Sequence, residues 1–457
     1  MKIKSIYFYI VLICIILYFS KSILMFSLFN DFYFHKDKYA IVNSVYKTNR
    51  YYKKKYTDFF EKYKICTPQN FDKLPYLTKD DIIINNDEII SPSYKKCNLT
   101  CRSSCITDPV ITDPNCIIGQ STGGTSGKSA FIWMTKYDAF IYIYTFMYSF
   151  RKNAYFYGDK LMVFYPANSY FTNEYEKSNS LLSLFNLYFM SFNVIDKQKT
   201  EEFVAYVNKN KPDFLVIFPF VLLQLCMNIK IYHLDLIHNP RNINVSGEFL
   251  LNCSLHFCKK IFSRSNIENT YGAVEFGEIA HQVKGDKNTF EVFDKFSYLE
   301  NKDNKIVVTS YINSTFPIIR YVMEDIGTIV NKNGRQYITN LIGKNTNQII
   351  MDGISFTVLD LDAMIDDVNM NNNIVSAVIK YDLQSISLSY IITEPYTEEE
   401  ELRIKGKTVE KMMNFFKRVT YDIQFIQKYE HDYLKKFKII VKKDNTDSEP
   451  VGGFFKY

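Results

Sequence analysis

Histidine is scarce in this chain: six residues in 457, none at a spacing that suits a metal site or a catalytic triad. Charge of one sign is also missing. Fifty-five basic against 49 acidic residues leave a formal charge of +6, and the lysines are spread along the chain rather than gathered in a patch. The usual basic footprint of a nucleic-acid binder is therefore absent. There is no internal repeat, which excludes a solenoid or propeller, and low-complexity sequence is confined to short runs such as NMNNN. What is present is apolar: 47% hydrophobic and 16% aromatic residues exclude a disordered chain. A chain of 457 residues suffices for two folded parts at ~100–200 residues each. The abundance of Asn, Ile, Lys and Tyr reads as the imprint of an AT-rich genome, so the tyrosines do not by themselves mean a stacking surface.

One long apolar stretch opens the chain. IYFYIVLICIILYF carries no charge, and ILMFSLF resumes the run up to Phe29; together they can span a bilayer, which takes ~20 residues of helix. Lys2 and Lys4 also suit a signal peptide, but no small-x-small cleavage site follows. The expectation is an uncleaved single-pass membrane anchor over residues 1–33. The heavier basic load after it (Lys36, Lys38, Lys47, Arg50, Lys53) favours a cytosolic main body. Cys97, Cys101, Cys105 and Cys116 cluster at spacings unlike paired C-x-x-C ligands, which leaves a structural metal, a disulfide and free thiols all open. N-x-[ST] triplets begin at Asn98, Asn244, Asn252 and Asn313, and as glycoprotein signals they matter only for a lumenal body.

After the anchor, YAIVNSVYKTNRYYKKKYTDFFEKY has the spacing of an amphipathic helix, and Thr78 is a capping residue for Lys79-Asp80-Asp81. From Asp159 the apolar runs DKLMVFYPA, DFLVIFPF and IENTYGAVEFGEIA alternate with helical stretches such as SNSLLSLFNLYFM and TEEFVAYVNKN, the pattern of an α/β sheet. From Thr289, TFEVFDKF, NKIVVTSY and PIIRYV alternate like antiparallel strands. A smaller region follows, in which NIVSAVIKYDLQSISLSYIIT predicts a hairpin and TEEEELRIKGKTVEKMMNFFKRV a helix with acidic residues at its start.

The most chemically pointed run is QSTGGTSGKSAF, from Gln120 to Phe131. Glycines and hydroxyls around a lysine let a backbone wrap an anion. Gly127, Lys128 and Ser129 fit the second half of the NTPase P-loop, but Thr122 stands where its first glycine belongs. SAFIWMT then reads as a strand, not the helix that would hold the phosphate. The run is expected to be a flexible hairpin.

Five pieces in order resemble the adenylate-forming enzymes of the AMP-binding superfamily, most closely the branch of phenylacetate–CoA ligase and the CapK-like capsular polysaccharide proteins. They are STGGTSGKSAF, VSGEFL, NTYGAVEFGEIA, KIVVTSYINSTFPIIRYVMEDIG and LIGKNTNQIIMDGISF. The resemblance implies an AMP-binding α/β domain over residues 34–341 and a small mobile α+β domain over 342–457. It also implies ATP and Mg2+ as cofactors, CoA as an acyl acceptor, and a small-molecule carboxylate as substrate. Ser121, Thr122, Gly123, Gly124, Thr125, Ser126, Gly127 and Lys128 would face the polyphosphate. Glu275 would carry Mg2+, with Tyr271 and Gly272 beside the adenine. Asp325 would accept from the ribose hydroxyls, and Lys344 replaces the family's arginine, giving a point charge without the fork. Each has a plainer alternative: Glu275 and Asp325 as turn carboxylates, Tyr271 as core, Glu248 of VSGEFL as a surface acid, and His281 as an ordinary part-buried histidine. Relatives end with a catalytic lysine where this chain has Phe454; Lys456, two residues on and on the same strand face, is the candidate here. Two functional classes follow: an ATP-dependent carboxylate ligase forming acyl-AMP, or a catalytically degenerate nucleotide-binding or scaffold membrane protein of the same fold.

Overall fold

The computed structural model describes residues 37–96, 115–121, 130–135, 137–138, 141–142, 145, 148–149, 159–166, 186–344, 347–369, 371–429, 431 and 437–443. The entry segment is not one helix but three: α1 (Lys38–Thr48), then Arg50–Lys55 and Thr57–Tyr63. Asn49 causes the first break. Its buried side chain accepts from Tyr52 N at 3.2 Å and donates to Ile89 O at 2.7 Å, so it caps the second segment instead of continuing the first. Thr78 and Asp81 form the expected capping box at the start of α2 (Lys79–Ile84).

A small sheet of β1 (Lys95–Lys96), β2 (Cys116–Ser121) and β3 (Phe131–Met134) flanks the glycine-rich run. β2 and β3 are antiparallel with Ser121 opposite Phe131, so both flanks of the expected hairpin are in place; residues 122–129 lie outside the described set.

The main sheet has two halves. β4 (Leu161–Pro166), β5 (Leu187–Phe192), β6 (Phe214–Ile217), β7 (Asn242–Ser246) and β8 (Asn266–Ala273) are parallel, with α3 (Lys197–Asn210), α4 (Pro219–Ile231) and α5 (Asn252–Ile261) as crossover helices. Strands covered on both faces read as continuous apolar runs, as LMVFYP and FLVI do here. The other half is antiparallel: β9 (Gly277–Val283), β10 (Asp286–Val292), β11 (Ser297–Lys302), β12 (Lys305–Ser310), β13 (Tyr321–Lys332) and β14 (Arg335–Lys344). The full order is β11-β12-β13-β14-β10-β9-β8-β7-β6-β4-β5.

Two expectations are corrected. Antiparallel pairing begins at β9, not at Thr289, because a turn at residues 274–276 and Gly277 at φ +71° reverse the chain inside what reads as one apolar run. In SNSLLSLFNLYFM, the stretch from Leu187 is strand β5 rather than helix. Its bulky residues pair with β4, and tertiary pairing outweighs local propensity.

From Gln348 a second unit follows. The hairpin of β15 (Gln348–Met351) and β16 (Ile354–Thr357) leads to α6 (Val358–Val368), the expected hairpin of β17 (Ile374–Tyr381) and β18 (Ser385–Ile392), the expected helix α7 (Glu398–Met413), and then β19 (Thr420–Ile426) and β20 (Ile440–Lys442). Its core of Leu361, Ile365, Ile379, Leu388 and Ile404 continues into Leu251 and Cys253 at the start of α5. Two hydrogen bonds reinforce that junction: Asn252 N to Asp362 Oδ1 at 2.7 Å and Ser254 Oγ to Val375 O at 2.7 Å. Among the described residues no helix is long and apolar enough to cross a membrane. The expected anchor, residues 1–33, lies outside them.

Candidate functional site

Where the parallel half meets the antiparallel half, the carboxyl end of β8 opens into a cleft that the second unit covers. Carboxyl ends of parallel strands are where open α/β sheets bind ligands. The volume is about 270 Å³, near the low end of the ~300–1,000 Å³ typical of small-molecule sites. The walls come from Asn269–Glu275, Tyr321, Met323–Asp325, Leu341–Lys344 and Lys79 on one side, and from Asn347, Asp362 and Phe437–Ile439 on the other.

Tyr271, Asp325 and Lys344, far apart in sequence, meet here. The Tyr271 hydroxyl donates to Asp325 Oδ2 at 2.8 Å. Burial, reinforced by the Asp325 charge, raises the Tyr271 pKa far above the usual phenol range, so the hydroxyl stays a donor. Asp325 lies in β13 directly opposite Lys344 of β14, which places acid and base side by side on one sheet face. Asp325 is thus a strand residue with a held orientation rather than a turn carboxylate.

Glu275 sits in the turn between β8 and β9 and faces the cleft. The Tyr142 hydroxyl donates to its carbonyl and fixes the turn. Burial raises the pKa of its carboxyl, and Asp325 adds to the effect, while Lys344 and Lys79 pull the other way. The two glycines of YGAVEFG are both required by contact. A Cβ on Gly272 would lie 2.7 Å from the Gly277 carbonyl, and one on Gly277 would lie 2.4 Å from Thr145 Oγ1.

Three cleft cations escape sequence reasoning, one of them Lys287 of β10, which pairs with Asp362 at 3.4 Å. Lys79 lines the cleft from the start of α2, and Lys438 lines it from the second unit. The only local signal for the latter is the basic cluster ahead of an apolar strand in KKFKIIV. Glu248 joins the two units: Oε2 accepts from Phe220 N at 3.2 Å, Oε1 accepts from Phe437 N at 2.7 Å, and the Phe220 and Phe437 rings stack at 3.8 Å. It is no idle surface acid. His281 stacks on Phe293 at 5.4 Å, consistent with a structural histidine.

Thr122–Ser129 and Lys456 lie outside the described residues, and Ser121 ends β2. Cys116 is disulfide-bonded, and a disulfide sulfur is not a thiolate ligand, so the metal alternative fails at that position; Cys97, Cys101 and Cys105 lie outside the described residues. Asn244, Asn252 and Asn313 are at most 7% exposed, which leaves no room for a glycan on the folded chain; Asn98 is outside the described set. Among the described residues no three His, Cys, Asp or Glu converge to hold a metal unaided. The cleft does carry five carboxylates against four lysines, so a polyphosphate entering it needs a cation. Glu275 suits Mg2+, which is commonly held by one or two carboxylates together with substrate phosphates.

A two-part sheet and a second unit over the carboxyl end of β8 give a fold shared with solved adenylate-forming CoA ligases of the AMP-binding superfamily. The chain resembles the CapK-like branch of that superfamily: it is 22% identical over 419 residues to Protein CapK of Staphylococcus aureus, covering 86% of each chain. In structure it is similar to 2-hydroxyisobutyryl-CoA ligase in the postadenylation state in complex with 2-HIB-AMP. The TM-score is 0.64 at 12% identity, covering 89% of each chain. Against that ligase in the thioesterification state the TM-score is 0.50 at 13% identity, over 89% of this chain and 88% of the other. No family model matches the chain.

Proposed function

We propose that the chain activates a carboxylic acid with ATP. An oxygen of the acid attacks the α-phosphorus, the bond to the bridging oxygen of the departing pyrophosphate breaks, and acyl-AMP forms. The observation that carries this reading is the cluster of Tyr271, Asp325 and Lys344 beside Glu275 in a cleft closed by the second unit. Asp325, oriented by Tyr271, accepts from the ribose hydroxyls, and the run from Ser121 to Lys128 meets the polyphosphate. Lys438 brings positive charge from the second unit to the α-phosphate, where negative charge builds in the transition state. Glu275 would hold Mg2+ together with the phosphates, and the ion would supply positive charge against the departing pyrophosphate. The better match to the postadenylation form supports a closed arrangement suited to this first step. The likeness to CoA ligases supports a thiol such as CoA as the acceptor, and the likeness to CapK supports a place in surface-polysaccharide chemistry. ATP is supplied in the cytosol, so this reading goes with a cytosolic body, where the Cys116 disulfide would be an exception to the usual reduced state.

The test is ATP–pyrophosphate exchange by the full-length protein with Mg2+ and pooled carboxylic acids, beside direct ATP binding. Acid-dependent exchange is expected, and Lys438→Ala should lower it ~10²–10³-fold, the usual effect of removing one transition-state charge partner. ATP binding without exchange from any acid would leave the non-catalytic nucleotide-binding reading in its place.

A further inference from the structure

The family resemblance implies a small domain that moves, but the packing between the two units is that of a single body. Their cores are shared in both directions. Val375 of β17 and Ile391 of β18, at 0% and 2% exposure, belong to the apolar cluster that α4, α5 and the parallel strands build in the large unit. Leu251 and Cys253 of the large unit, at 1% and 4%, belong to the core of the second unit. Ile426, Tyr429 and Phe437 then pack against the first of these clusters from the second unit's side. Domains in one chain move relative to each other by default unless their contact is large and hydrophobic, and here the contact is core.

Polar groups close the same junction. Asp362 of α6, 4% exposed, accepts from Asn252 N at 2.7 Å and from Lys287 Nζ at 3.4 Å, and Asp366 accepts from Asn252 Nδ2 at 2.6 Å. Ser254 Oγ donates to Val375 O at 2.7 Å, and Lys230 pairs with Glu394 at 2.7 Å on the outer rim. The second unit is thus tied to α4, α5 and β10 together. Turning it would expose four buried apolar side chains to water and break these bonds in the same movement.

We infer that the second unit is fixed: it stays over the cleft through the whole reaction cycle, and acyl-AMP is both made and consumed in this one arrangement. The part concerning acyl-AMP rests on the adenylation reading above. In the transfer step the acceptor thiol bonds to the acyl carbon, the bond from that carbon to the AMP oxygen breaks, and the thiol proton passes to solvent, all with the second unit in place.

The first test needs no substrate. Trp133, the single tryptophan of the chain, lies in β3 of the large unit, so its fluorescence follows unfolding there. Val375→Ala and Ile391→Ala each remove buried methyl groups from the second unit. In urea each should lower the midpoints seen by Trp133 fluorescence and by far-UV circular dichroism equally, in one step. Two separate steps, or a Trp133 midpoint that neither variant moves, would overturn the inference. A second test places spin labels on Ile237→Cys and Leu383→Cys, 74% and 80% exposed and one on each unit, with the unsubstituted protein as the labelling blank. Pulsed electron resonance should give one distance for the full-length protein alone, with ATP and Mg2+, and with pooled carboxylic acids and CoA added; a second distance in any of these would overturn the inference. Finally, Lys230→Cys and Glu394→Cys joined by a bis-maleimide should keep both pyrophosphate exchange and CoA-dependent AMP release at the level of the unjoined pair. Exchange kept with AMP release lost on joining would overturn the inference and leave adenylation standing. Exchange from no acid in the parent protein would remove the adenylation reading alone, with the unfolding and distance results still deciding whether the unit is fixed.

Discussion

The two halves of the large sheet bury different things. In the parallel half, Phe164, Leu215, Ile217 and Val245 are fully buried and the crossover helices add an apolar layer. In the antiparallel half, buried positions include Arg320, Glu278 and Gln336. Arg320 is tied to Glu300 by 3.0 and 3.1 Å contacts and donates to the carbonyls of Asp72 and Leu74, pinning the entry segment to β11 and β13. The parallel half carries the larger apolar layer, and the antiparallel half adds a buried ion pair. The cleft lies on their seam, taking a rigid strand end from the first and charged side chains from the second.

The sharpest test of that contrast is in stability. Arg320→Met should cost about 3–5 kcal/mol, because it strands the part-buried Glu300 carboxylate. Adding Glu300→Leu should recover much of the loss. Phe164→Ala should also cost about 3–5 kcal/mol, but from a cavity that no partner substitution at a charged site can refill. Urea denaturation of the three variants beside the parent protein checks this; failure of the double variant to recover would break the comparison.

A second test uses pH. Burial raises Glu278 to about 7 from an ordinary value of 4.5, so between these values the folded chain holds a proton that the unfolded chain releases. Stability from this group is present below pH 4.5, falls as pH rises through the window, and levels off above 7. Glu278→Gln lacks the slope and should gain up to about 3 kcal/mol on the parent protein across that window. Parallel stability profiles for the two proteins would remove Glu278 as a buried titrating group.

The smallest effect belongs to the seam itself. Tyr271→Phe deletes the donor to Asp325 and should weaken ATP binding roughly tenfold, about 1.4 kcal/mol, with little change in fold stability. Unchanged affinity would mean that Asp325 needs no orienting group.

Much of this was readable in the chain. The hairpin of β17 and β18, helix α7 with its acidic first turn, and the capping box at Thr78 follow from local pattern, and local pattern is what those elements obey. The grouping of Tyr271, Asp325 and Lys344 was legible only through motif order, since nothing local says that residues 54 apart share a hydrogen bond. Lys79, Lys438 and Glu278 were not legible. Their roles arise from which strand ends and which unit they are brought against, and a lysine or glutamate in an ordinary polar run carries no mark of that. Strand β5 misread as a helix for the same reason: its partner β4 decides its state.

Glu248 has a further consequence. One side chain receives an N–H from the first turn of α4 and another from Phe437, ahead of β20, so it ties the large unit to the second one. A unit that swings away gives up both a hydrogen bond and an aromatic stack in a single event. Any separation of the two units must therefore break the Phe437 bond and the ring stack together, at a residue that also lines the cleft.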